Sequence, residues 1–179
     1  MKTLVVCYSR TGHTRMLAGK IAVGMNAEIE EITERVNRRG LRGYLRSGKE
    51  AWLRRRTKIL PLRNDASAFD LVIVGGPVWS ASLSSPVRTY LEDHAAALPQ
   101  VAFFCTMGRV GSDRVFRQMQ DACGRRPLAT FARTERQLAS PALPRAVETF
   151  VSQLHATHLL DAVYGRAATH APVAPSRIS

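Results

Sequence analysis

The chain has 179 residues, 45% of them hydrophobic, enough for one full-sized core and too few for two, so a single domain is expected. Its net charge of +12 is concentrated: between Arg35 and Arg63 eleven basic residues face one acid, Glu50, a local excess of +10, while the remaining 15 basic and 13 acidic residues nearly cancel. No run approaches the ~18 consecutive apolar residues of a membrane span, the N-terminus has no signal-peptide pattern, and Cys7, Cys105 and Cys123 are odd in number with no CxxC or metal-ligand spacing, so buried thiols in a soluble, cytoplasmic protein are expected.

Thr3 to Tyr8 (TLVVCY) is a continuous apolar run, the mark of a strand buried on both faces. Thr14 to Val23 follows as a helix with Leu17, Ala18, Ile21 and Ala22 on one face and Gly24 as its stop. Ala27 to Ile32 alternates and reads as a half-exposed edge strand. The basic segment 35–63 then places Leu41, Tyr44, Leu45, Trp52 and Leu53 close to one helical face, as in an amphipathic helix at the position of the second crossover, preceded by a loop from Asn37 to Gly43. Leu71 to Val74 is a second buried strand, closed by Gly75, Gly76 and Pro77, with a helix from Pro86 to Leu98 behind it.

Val101 to Thr106 is the fourth strand and Asp113 to Cys123 a helix with Val115, Phe116 and Met119 inward. Leu128 to Ala132 is a fifth, weaker strand, and Leu143 to Leu160 a last helix facing inward through Val147, Phe150, Val151 and Leu154. Five βα units in series predict a five-stranded parallel sheet, doubly wound in three layers, with right-handed crossovers. The domain is expected over 1–164, with the tail 165–179, rich in Ala, Pro and Ser, disordered.

In such sheets ligands bind beyond the carboxyl ends of the strands, where strand order reverses. Three loops leave strand ends there. The first, Ser9-Arg10-Thr11-Gly12-His13-Thr14, combines hydroxyls, a glycine and the free N–H groups of an incoming helix, a combination suited to phosphate. The plainer alternative is that Ser9 or Thr11 only caps that helix. The others are Gly75 to Trp79 (GGPVW) and Thr106 to Gly111 (TMGRVG).

Taken together, these loops resemble the FMN site of the flavodoxin family, the first in the form S/T-x-T-G-x-T, with the likeness running in order from Met1 to about Leu160. The resemblance implies a flavodoxin-like sheet of order 2-1-3-4-5. It also implies that Ser9, Arg10, Thr11, Gly12, His13 and Thr14 bind the FMN phosphate, that Pro77, Val78, Trp79 and Ser80 flank one face of the flavin ring, and that Thr106, Met107, Gly108, Arg109 and Gly111 meet its pyrimidine edge. The plainer readings are a core tryptophan for Trp79 and a solvated loop charge for Arg109.

No aromatic residue stands between Met107 and Val115, so the second ring that many flavodoxins place in the third loop is missing, and one flavin face would be open to a substrate or covered in a homodimer. Flavodoxin carriers are usually acidic around the flavin, whereas this chain is basic. The expected function is therefore an FMN-dependent oxidoreductase that takes electrons from NAD(P)H and passes them to a small-molecule acceptor such as a quinone, with an electron carrier to a redox protein as the alternative. The 35–63 segment resembles the insertion of a subgroup of flavodoxin-like oxidoreductases. Its arginines are solvated charge, or they attract NADPH phosphates or an acidic partner; nucleic acid is not expected, because Tyr44 and Trp52 lie on the apolar face. GxSxG, GxxxxGK[ST] and a strand-borne GxGxxG are all lacking, and the five histidines share no metal spacing, His155 and His158 reading as surface residues.

Overall fold

Strand β1 (Thr3–Cys7) is buried at every position, and its side chains alternate between two separate cores. Leu4 and Val6 join one, Val5 and Cys7 the other, as the two-residue period of a strand dictates. A computed structural model describes residues 1–34 and 56–168, with side chains to residue 160. Beside β1 run β2 (Glu28–Glu31) and β3 (Leu71–Trp79), and beyond β3 come β5 (Gln100–Met107) and β6 (Thr130–Thr134), all parallel. The order β2-β1-β3-β5-β6 is the doubly wound arrangement 2-1-3-4-5 once the short strand β4 (Ser82–Leu83), antiparallel to the end of β3, is set aside.

Helices α1 (His13–Met25) and α5 (Leu143–Ala168) cover one face with Leu17, Ile21, Val147, Phe150 and Leu154. On the opposite face, α2 (Ser85–His94) and α3 (Ser112–Cys123) supply Val87, Tyr90, Leu91, Val115 and Met119. Each such side chain contributes about 1.5–3 kcal/mol when removed from water, and the two cores make β1, β3 and β5 the rigid centre that positions the loops at their carboxyl ends. A one-turn helix, α4 (Glu135–Leu138), follows β6 directly.

Several boundaries differ from the sequence reading. Gly24 does not stop α1; the helix continues to Met25 and ends on Asn26, which is left-handed (φ 46°) and donates its N–H to the carbonyls of Ala22 and Val23. Gly24 instead admits α5, since a Cβ there would lie 3.0 Å from Val151. The third strand does not close at Gly75 but runs on to Trp79, then turns through Ser80 and Ala81 into β4. Strand β6 lies two residues further along than expected, α2 ends at His94, and α5 continues through Gly165 to Ala168, where the tail was placed. The amphipathic helix expected around Tyr44 and Trp52 lies outside the described residues.

Both ends of the basic segment are fastened to the β2 side of the sheet. Glu34 bridges to Ile59 in antiparallel fashion, and the Leu60 N–H donates to the Thr33 carbonyl at 2.7 Å. The Glu34 carboxylate accepts from the Tyr8 hydroxyl (2.6 Å) and the Thr57 hydroxyl (3.1 Å). Glu30, 4% exposed, accepts the backbone N–H groups of Arg63 and Asn64. A buried carboxylate without such donors would be strongly disfavoured, so Glu30 fixes where the chain re-enters the fold.

Candidate functional site

At the carboxyl end of β1 the chain must turn sharply into α1, and Gly12 makes the turn with φ 93°, a left-handed conformation that other residues adopt at a cost. The Gly12 N–H donates to Ser9 Oγ at 3.1 Å, which leaves the Ser9 hydroxyl proton free to donate elsewhere. No side chain caps α1, and the space above Gly12 is open, with nothing within 4 Å of where a Cβ would stand. The first N–H groups of α1 therefore lie at the positive end of the helix, open to a concavity. Ser9 closes the loop on Gly12 but caps no N–H within the helix, and Thr11 does not cap it either.

The second and third strand ends meet this loop. Thr14 and Thr106, both nearly fully buried, share a hydroxyl–hydroxyl hydrogen bond of 2.7 Å, in which one proton is shared and the other is available outward. This bond ties α1 to the end of β5 and sets the depth of the concavity. A cleft of about 180 Å³ results, lined by Arg10, Thr11, His13, Thr14, Pro77, Val78, Trp79, Thr106, Met107, Gly108 and Glu135. Ten of the fifteen residues singled out from the sequence are thus brought together. Of the others, Ser9 and Gly12 shape the loop, Ser80 and Arg109 are exposed, and Gly111 starts α3 with φ 115°. A Cβ on Gly111 would lie 3.0 Å from the Cα of Ala81, so the third loop packs directly on the β3–β4 turn.

Trp79 has a double position. It belongs to the core, 6% exposed and edge-on to Tyr8 with ring centroids 5.5 Å apart, and it also forms part of the cleft wall. What it offers a ligand is a strip of indole, not an open plate. Glu135 is the residue that the sequence reading missed: it enters from the end of β6, and its carboxylate approaches His13 Nδ1 to 3.6 Å. The thiols are not chemical groups of the site. Burial, with the Glu31 charge second, pushes Cys7 up to about 12, and burial, with Asp113 second, does the same to Cys105, so both are neutral at ordinary pH. Among the described residues no set of His, Cys, Asp and Glu side chains could hold a metal ion, and no helix is long and apolar enough to cross a membrane.

Sheet order, layering and the cleft at the reversal of strand order together define a flavodoxin-like fold. Solved structures share it. A flavoprotein of Lactobacillus acidophilus NCFM, in complex with FMN, is 24% identical with a TM-score of 0.64 over 73% of this chain and 92% of its own. A putative flavoprotein of Bacteroides eggerthii is 19% identical, with a TM-score of 0.69, 86% of this chain and 98% of that one being covered. A flavodoxin of Streptococcus pneumonia is 15% identical with a TM-score of 0.58, over 87% and 99%. No protein-family model and no curated protein matches the chain.

Proposed function

We propose that the cleft holds the phosphate of FMN and that the protein is a flavin-dependent oxidoreductase, drawing electrons from NAD(P)H and delivering them to a small acceptor such as a quinone. One observation carries this reading: an uncapped helix N-terminus, the Thr14 and Thr106 hydroxyls and the Arg10 and His13 side chains converge on one concavity at the strand ends. That set of donors suits a phosphate monoester. At about 180 Å³ the cleft is smaller than whole-ligand pockets, which usually occupy about 300–1,000 Å³. It matches a phosphate and the first atoms of its chain, and the rest of a flavin belongs at the open mouth, beside Pro77, Val78, Trp79, Met107 and Gly108. Bound FMN supplies reversible acceptance of a hydride and release of electrons singly or in pairs. The chain's own residues bind and orient; Ser80, Arg109 and Gly111, outside the cleft lining, would meet the part of the flavin beyond its mouth.

Purified protein with flavin absorbance that bleaches on anaerobic addition of NADPH is the expected result. A protein that is colourless and does not take up FMN at saturation overturns the flavin site. FMN bound but not reduced by NADPH favours the second reading, an electron carrier to a protein partner, which the flavodoxin among the structural neighbours supports. Thr14→Val is expected to weaken FMN binding by about 1.5–3 kcal/mol, the worth of a hydrogen bond to a charged group, as read by fluorescence titration.

A further inference from the structure

Glu135 is an acid in a cleft otherwise built for an anion. Among the described residues it is the one acid in the lining, beside the basic Arg10 and His13. Its position is built. Thr134, the last residue of β6, pairs in register with Met107 at the end of β5. Thr134 and Gln137 then form a capping box: the Gln137 N–H donates to Thr134 Oγ1 at 3.2 Å, and the Thr134 N–H donates to Gln137 Oε1 at 2.9 Å. Glu135 lies inside this double clamp, so its backbone is fixed against the third loop, while its side chain remains 65% exposed.

The contact with His13 is a close approach rather than a closed hydrogen bond, at 3.6 Å against a usual limit of about 3.2 Å. Both side chains are wet, and such exposed pairs add little to stability. The carboxylate's effect therefore falls on whatever else enters the cleft. A phosphate dianion seated at the start of α1 would share His13 with Glu135 and stand a few ångströms from a like charge.

Resting on the reading of the cleft as a flavin phosphate site, we propose that Glu135 is its internal counter-anion: the carboxylate occupies His13 when no ligand is bound, opposes the incoming phosphate, and so sets how strongly the site prefers phosphorylated over unphosphorylated flavin. Coulomb's law in a water-like medium, for a dianion roughly 6–8 Å away, puts the opposition at about six- to tenfold in affinity, and salt at ordinary ionic strength lowers it to about threefold.

The test measures dissociation constants of FMN and riboflavin for the full chain and for Glu135→Gln, which keeps the shape and removes the charge. FMN is expected to bind the variant about three- to tenfold more tightly with riboflavin unchanged, the gain shrinking at high salt, and with thermal stability in the absence of ligand unaltered. Glu148→Gln removes the same charge from α5, outside the cleft, and should leave the FMN-to-riboflavin ratio at its wild-type value. An unchanged ratio in Glu135→Gln, or the same shift in both variants, overturns the proposal while leaving the flavin site standing. Should the wild type bind no FMN, the flavin reading fails, and inorganic phosphate becomes the probe: tighter phosphate binding by Glu135→Gln still supports the counter-anion, and equal binding overturns it.

Discussion

A methyl group on Gly75 would stand 2.2 Å from the Phe104 ring, and one on Gly76 would stand 2.5 Å from Val87. These adjacent glycines point to opposite faces of β3, so each lets one core close against the sheet. Gly75→Ala is therefore expected to destabilise the protein by about 1–3 kcal/mol, the usual cost of overpacking a filled core, measured by urea unfolding. The buried thiols make a second prediction. No labelling of Cys7, Cys105 or Cys123 by a thiol reagent is expected in the native protein at pH 8, and labelling of all three in urea, because all are buried and burial raises their pKa. The linkage has a definite sign. Between pH 9 and about 12 the unfolded chain has lost protons that folded Cys7 and Cys105 retain, so stability is full below pH 9 and falls as pH rises through that window. Unchanged stability from pH 9 to 11 would show that these thiols are not held neutral.

At the level of elements, the β3–β4 turn shows what a sequence pattern conceals. Ser80 and Ala81 both have positive φ, 49° and 53°, the signature of a two-residue type I′ hairpin that normally draws Asn-Gly. Without that dipeptide, the pair gave no turn signal, and GGPVW read as a loop. Left-handed backbone costs an alanine about 1–2 kcal/mol, so Ala81→Gly, which keeps the Cα packed against Gly111, is expected to raise the melting temperature, and a lower one would mean that Ala81 is not strained. The long apolar runs TLVVC, LVIV and VAFFC made β1, β3 and β5 legible, since buried parallel strands need little else. Two-residue β4 and four-residue α4 are too short to carry a period. Strand β6, whose only fully buried side chain is Phe131, was misplaced by two residues for the same reason. Ten cleft residues were legible because they sit in three contiguous loops with glycine or hydroxyl signals. Glu135 was not, because only the β5–β6 register brings it to His13, 122 residues away in the chain.

Over the whole molecule, the cleft is assembled by the ends of four strands, β1, β3, β5 and β6, that no single unit of the chain contains. A ligand there binds only when both cores have closed around the sheet, so its binding energy adds to the stability of the entire domain rather than to one loop. Mass action then sets the size: FMN at one hundred times its dissociation constant is expected to stabilise the fold by about 2.7 kcal/mol. The increment should appear as a shift of the whole unfolding transition, read alike by far-ultraviolet dichroism and by tryptophan fluorescence. Riboflavin, lacking the phosphate that the proposed function seats at the start of α1, is expected to shift it less. If the two probes separate on adding FMN, one moving and the other not, the ligand is held by a locally folded loop, and the four strand ends do not couple the cleft to the cores.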